Sequence, residues 1–168
     1  MKWLITGGCG FIGRALIRHL KSQGNHKVRV YDNLSVGSRD DLIQEGTVTD
    51  CDPSVAPLDW ADDLSLVTGD ILDAARFRQA ISGADIVVHL AANTGVAPSV
   101  EDPMSDCNAN VLGVLNMLEG CRHEQVNRVV FASSGAPLGV QTPPLHEEMA
   151  AHPASPYGAS KLAGEGYC

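Results

Sequence analysis

What this sequence lacks narrows it first. No stretch concentrates lysine and arginine, and 12 basic against 20 acidic residues leave a formal charge of −8. Nucleic-acid partners are therefore disfavoured, since they are held mainly by basic patches. No apolar run approaches the ~20 residues of a membrane span. None of the five cysteines (9, 51, 107, 121 and 168) pairs in a C-x-x-C spacing. With an odd count and no signal peptide, reduced thiols and a cytoplasmic location are expected. No internal repeat and no low-complexity tract is visible. The many aspartates between residues 40 and 63 show no metal-ligand spacing and read as a solvated face, so no metal is expected.

What is present is an ordinary globular composition, 44% hydrophobic and 19% charged over 168 residues. That is enough for one domain with a sizeable core. The N-terminus carries the first informative stretch, Thr6-Gly7-Gly8-Cys9-Gly10-Phe11-Ile12-Gly13. It follows a short apolar strand, 2–5, and precedes a helical pattern over 14–20 with apolar Ile12, Leu16, Ile17 and Leu20. Strand, glycine turn and helix are the context that a dinucleotide fingerprint requires. Gly7 suits the tight turn, Gly10 the approach of a pyrophosphate, and Gly13 close packing of helix on strand. An NTPase phosphate loop does not fit, because no Lys-Ser or Lys-Thr closes the motif. Cys9 reads as a small side chain that fits the turn.

A second strand, 28–32, ends in Asp32, 19 residues after Gly13. A carboxylate there accepts hydrogen bonds from adenosine ribose hydroxyls, and a 2′-phosphate would meet like charge. NAD is thus expected over NADP, with Arg39 close enough in sequence to complicate the preference. Residues 33–64, including Pro53 and Pro57, read as irregular, and the pattern does not decide whether short helical turns hide there. Strands are expected at 64–68, 85–90 and 127–132, with a helix over 73–80. Asp70 reads either as a contact on the adenine side or as a helix N-terminal carboxylate. His89 reads as a satisfied core or rim histidine. Ala91 and Ala92 leave ligand room at a strand end. Residues 93–102 read as a loop and 103–121 as a long helix. Asn108, Asn110 and Asn116 sit badly in that helix. The expected sheet is doubly wound and parallel, in the order third-second-first-fourth-fifth.

Near the C-terminus, Tyr157 and Lys161 lie four apart, on one helical face. A nearby ammonium favours a phenolate, which makes Tyr157 the candidate base. Ser134, at the end of the fifth strand, is placed to donate to a substrate oxygen. Lys161 is also placed for the nicotinamide ribose.

These segments together resemble the extended short-chain dehydrogenase/reductase family, in its NAD-dependent epimerase/dehydratase branch acting on nucleotide sugars. The matching stretches are 6–13, Tyr31-Asp32-Asn33-Leu34, Gly69-Asp70-Ile71, His89-Leu90-Ala91-Ala92, Asn110-Val111-Leu112-Gly113, Phe131-Ala132-Ser133-Ser134 and Tyr157-Gly158-Ala159-Ser160-Lys161. The resemblance implies a Rossmann-type fold binding NAD through Gly7, Gly10, Phe11, Ile12, Gly13, Asp32, Asn33, Asp70, Ile71, Leu90, Ala91, Ala92, Asn110, Tyr157 and Lys161. It implies Ser134, Tyr157 and Lys161 as a catalytic trio, with Asn110 supporting the site. UDP-glucose 4-epimerase-like members look most similar, which implies a nucleotide-sugar substrate, transient oxidation at the sugar C4 and a homodimer. Family members are about twice this long. The expectation is one NAD-binding domain over 1–168, truncated before the last strands and the substrate lobe. Dehydration or decarboxylation is disfavoured, because Gly135-Ala136-Pro137 follows Ser134 without a carboxylate and Glu147 and Glu148 sit on a later loop; an NAD(P)-dependent nucleotide-sugar reductase or dehydrogenase, or a non-catalytic nucleotide-binding fragment, stands as the alternative to epimerisation.

Overall fold

The computed structural model describes residues 1–52 and 58–168. Its strands are β1 (Lys2–Thr6), β2 (Lys27–Asp32), β3 (Thr49–Asp50), β4 (Leu64–Thr68), β5 (Ile86–His89) and β6 (Val129–Phe131). Its α-helices are α1 (Phe11–Gln23), α2 (Arg39–Ile43), α3 (Ala74–Ile81), α4 (Val96–Glu101), α5 (Pro103–Cys107), α6 (Gly113–Glu124) and α7 (Pro156–Tyr167). The strands form one sheet in the order β3-β4-β2-β1-β5-β6. This is the expected order with a two-residue strand added at the edge.

The chain forms two compact units, Met1–Ala91 with Asn116–Val130, and Ala92–Leu115 with Phe131–Cys168. In the first unit, neighbouring strands are parallel and in tight register, Ile5 beside Val30 and Val88. Strands buried on both faces read as unbroken apolar runs, and every residue of β5 is buried. One face packs Ile5, Val28, Val30, Leu66 and Val88 with Ile17 and Leu20 of α1. On the other, Tyr31 stacks on Phe77 of α3 at 4.8 Å. Beside it Arg29 is wholly buried. Its guanidinium donates to the carbonyls of Leu58, Asp59, Ala80 and Ser82 and lies 3.9 Å from the Trp60 ring centre.

Three stretches depart from the expected pattern. Within 33–64, Ser38 and Asp41 form a reciprocal cap that starts α2, and Thr49 and Asp50 pair with β4. Pro53 and Pro57 lie outside the described residues. The expected loop 93–102 holds α4, because Pro98 falls in the first turn, where no N–H is needed. The long helix begins at Pro103 as expected but widens into a π-helical turn over Asn108–Leu112 before α6. Such turns often mark functional positions. Among the described residues, no helix is long and apolar enough to cross a membrane.

Candidate functional site

Of the expected nucleotide residues, the first unit carries Gly7, Gly10, Phe11, Ile12, Gly13, Asp32, Asn33, Asp70, Ile71, Leu90 and Ala91. Gly7 takes φ +65°, and a Cβ there would meet the Ala91 backbone at 2.8 Å. Gly13 lies on the turn itself, 2.6 Å from Gly8 Cα to an added Cβ. At Gly10 a Cβ would meet only the Gly7 carbonyl, at 3.2 Å, so the turn is open on that side. Arg14 donates the first bond back to the α1 start, to Gly10 O at 3.0 Å. Gly10 provides no side-chain cap, and the first turn of α1 holds no acid. The orphan N–H groups and the positive end of the helix are thus free of competing carboxylates, which suits an anion. Phe11 and Ile12 stand exposed at this end, 84% and 64%. This arrangement fits a bound dinucleotide.

Asp32 is fixed beside the turn by backbone donors. Its Oδ2 accepts from Cys9 N–H and its Oδ1 from Leu34 N–H, both at 2.9 Å. Each oxygen keeps a second lone pair for a hydroxyl. Burial, with Asp32 adjacent, pushes the Cys9 thiol up to about 12, so Cys9 is the inert, buried filler the sequence indicated. Asn33 donates to Asp70 Oδ2 at 3.2 Å, and Tyr31 Oη donates to the Asp70 carbonyl at 2.8 Å. Asp70 accepts from Leu72 N–H, while the side-chain cap of α3 is Asp73. Asp70 thus stands just ahead of α3 without being its cap residue. Asn116 holds the Ile71 carbonyl at 2.9 Å.

Thr6 escaped the sequence reading. Its Oγ1 accepts from the Leu90 and Ala91 N–H groups, at 3.1 Å each, and bonds His89 Nδ1 at 2.9 Å. A hydroxyl on the last strand residue before the first glycine was the available signal. His89 is buried in the core, as expected. Arg39 points elsewhere: its guanidinium grips Asp50 with three contacts of 2.7–3.0 Å.

The second unit holds Asn110, Ser134, Tyr157 and Lys161. Ser134 is exposed, and its Oγ accepts from Ala136 N–H at 3.1 Å. Tyr157 is half-buried near the start of α7, which Ser155 caps. Lys161 is 4% exposed; its Nζ donates to Ala132 O at 3.0 Å and lies 5.9 Å from the Tyr157 ring centre. Burial lowers the Lys161 pKa from its ordinary value, and the negative charge of Asp106 opposes that shift.

Beneath them runs a polar network that only Asn110 had announced. Asn110, 1% exposed on the π-helical turn, clasps the Asn93 backbone through N–H and carbonyl at 2.9 Å each. It also donates to Asp106 at 2.9 Å and Ser160 at 3.3 Å. Ser160 in turn donates to the Tyr157 carbonyl, and Tyr157 N–H donates to buried Ser99. Ala92 opens this unit. A cavity of about 680 Å³ there is lined by Ser134, His146, Glu147 and Glu165 among others. Glu165 also accepts from Ser133. Glu147 of the later loop and Glu165 of α7 thus share a cavity with Ser134, although no carboxylate follows Ser134 directly in the sequence.

A family model described as the NAD-dependent epimerase/dehydratase family matches residues 3–168. The chain belongs to that family. It is 36% identical over 176 residues to a UDP-glucose 4-epimerase of Mycolicibacterium smegmatis, covering 99% of this chain and 50% of that protein. It is 33% identical to a dTDP-glucose 4,6-dehydratase of the same organism, covering 98% and 47%. The crystal structure of UDP-glucose 4-epimerase from Brucella ovis in complex with NAD superposes with a TM-score of 0.83 at 35% identity, covering 99% of this chain and 46% of that one. The chain thus spans about half the length of these relatives. Its fold is the Rossmann-type α/β sheet of the family.

Proposed function

We propose that this chain carries the NAD site and the Ser134/Tyr157/Lys161 group of a nucleotide-sugar 4-epimerase acting on UDP-glucose and UDP-galactose, with the substrate lobe outside these 168 residues. The carrying observation is the set of three: an uncapped glycine turn, a carboxylate anchored beside it, and a half-buried tyrosine one helical turn from a buried lysine. Likeness to UDP-glucose 4-epimerases, one of them solved with NAD, supports the substrate and the cofactor.

In this reading the first turn of α1 holds the pyrophosphate through Phe11, Ile12 and Gly13 N–H, and Asp32 and Asn33 hold the adenosine ribose. Asp70 and Ile71 border the adenine, and Leu90, Ala91 and Ala92 leave room along the cofactor. NAD supplies a reversible two-electron oxidant for the C4 alcohol. The chain's own residues handle the proton. Tyr157 Oη takes it from the sugar 4-hydroxyl and returns it after the keto sugar has turned over. Ser134 Oγ donates to the same sugar oxygen. Lys161 bonds the nicotinamide ribose and favours the phenolate by its charge. Asn110 keeps α7 in place through Ser160. A homodimer in the cytoplasm completes the proposal for the whole protein, and the 168 residues alone should turn over far below the ~10 s⁻¹ typical of enzymes.

The carboxylates lining the Ser134 cavity favour a second reading, 4,6-dehydration, which needs an added acid and base. Incubating the whole protein with NAD and UDP-glucose or UDP-galactose, and following products by NMR, separates them. Interconversion without net NADH is expected. Accumulation of a 4-keto-6-deoxy sugar would replace epimerisation by dehydration, and stoichiometric NADH would make the protein a dehydrogenase.

A further inference from the structure

Arg39, on the loop that follows the expected ribose carboxylate, is engaged by another carboxylate, Asp50. The loop after Asp32 returns to the glycine turn at Gly37, where an added Cβ would meet Cys9 O at 2.3 Å. Cys9 N–H is itself bonded to Asp32. Arg39 follows two residues later, so its backbone lies within about 7 Å of that contact. From there a guanidinium can turn toward the ribose, where an arginine accommodates the 2′-phosphate of NADP. It is turned the other way. Arg39 Nε lies 3.0 Å from both Asp50 oxygens and its Nη2 2.7 Å from Oδ2.

The register gives the distance this imposes. Asp50 and Val30 both stand level with Leu66, on opposite sides of β4. Asp50 is therefore two strands from β2 and two residues short of Asp32. That is about 10 Å sideways and about 7 Å behind the ribose end of the sheet. The strand β3 consists of only Thr49 and Asp50. Both partners are partly exposed, 42% and 56%, so the pair adds little to stability and its removal leaves the fold intact.

We propose that Asp50 is a specificity residue: by holding Arg39 at the outer edge of the sheet, it denies a 2′-phosphate its counter-charge and keeps the site selective for NAD. The proposal rests on the NAD reading above. Two residues then act in concert. Asp32 repels the 2′-phosphate directly, and Asp50 withholds the cation that would offset that repulsion.

Calorimetric titration of this chain with NAD and with NADP tests it. Asp50→Asn is expected to tighten NADP two- to fivefold, the range of an exposed ion pair, with NAD affinity unchanged. The double variant Asp50→Asn/Arg39→Met should lose that gain. Arg39→Met alone should change neither affinity, because Arg39 is already engaged. An unchanged NADP:NAD ratio in Asp50→Asn, with NAD still bound, would overturn the proposal and leave the cofactor reading standing. Weaker NADP binding in Arg39→Met would overturn it by showing that Arg39 already reaches the phosphate. Failure of the unaltered chain to bind NAD would remove the cofactor reading, and the proposal with it.

Discussion

The two units are built on opposite plans. The first meets its candidate ligand with backbone: glycine turns, uncapped helix N–H groups, and a carboxylate pinned by two amides. One face of its sheet packs an apolar cluster of Ile5, Ile17, Val28, Val30, Leu66 and their neighbours, with Arg29 and His89 buried elsewhere in the unit. The second meets its candidate substrate with side chains, and beneath them buries Ser99, Asp106, Asn110, Ser160 and Lys161. Backbone donors hold charge without titrating. Buried side chains can be tuned to move a proton, at the cost of desolvation. On the proposed reading most cofactor contacts fall to the first unit and the proton chemistry to the second, with Lys161 serving both.

The largest test of that division is Tyr157→Phe in the whole protein. Loss of the phenolic proton acceptor should cost roughly 10²–10⁴-fold in turnover, while NAD affinity stays within about threefold. Full activity would remove Tyr157 from the mechanism. Lost NAD binding would break the division itself.

A comparably strong effect, on stability rather than rate, is expected at Arg29 in the first unit. Burial lowers its pKa to about 10, and its guanidinium donates to four backbone carbonyls, with no carboxylate ion pair among the described residues. Arg29→Met leaves those acceptors without their donor and should destabilise the chain by about 2–4 kcal/mol in urea unfolding. An unchanged midpoint would show that the carbonyls find water instead.

Smaller again is Asp32→Ala. Losing a charge-assisted hydrogen bond to the ribose should weaken NAD by about 1.5–3 kcal/mol at most, measured by calorimetry. Because Asp32 also fixes the Cys9 and Leu34 amides, part of that loss would come from a loosened turn. Equal affinity would refute its role.

The same contrast governs what the sequence could tell. Glycines betray a backbone site, because a missing Cβ is visible one letter at a time; Gly7, Gly10 and Gly13 all stand where close approach or an open side needs them. Five strands and their order followed from apolar runs. The second unit was legible only through Tyr157, Lys161, Ser134 and Asn110. Ser99, Asp106 and Ser160 are ordinary polar letters, and only the π-helical turn and the packing of α4, α5 and α7 make them a network. Loop 93–102 misled because Gly95 and Pro98 look like breakers, yet they begin α4. Glu147 reaches the Ser134 cavity through a chain reversal that no local pattern encodes.

The smallest effect is a pH slope, and it separates the units by pH range: stability rises with pH in both, at acid pH in the first and at alkaline pH in the second. In the first, Glu124 at the end of α6 is held below the usual carboxylate range, chiefly by the hydrogen bond from Arg78 at 2.7 Å, with Ser82 and the Arg78 charge adding to it. Its folded pKa lies below its unfolded one. The stabilisation is therefore fully present above the unfolded value near 4.5 and is lost as pH falls through the folded value. Arg78 is half exposed, so the contribution should stay below about 1 kcal/mol. In the second unit, burial depresses Lys161 below its ordinary 10.5. There the folded chain sheds its proton first, and stability should rise with pH between the folded value and 10.5. Urea midpoints measured from pH 3 to 10 should show both limbs. Glu124→Gln should flatten only the acid limb and Lys161→Met only the alkaline one. If either substitution flattened both, the two units would not titrate independently.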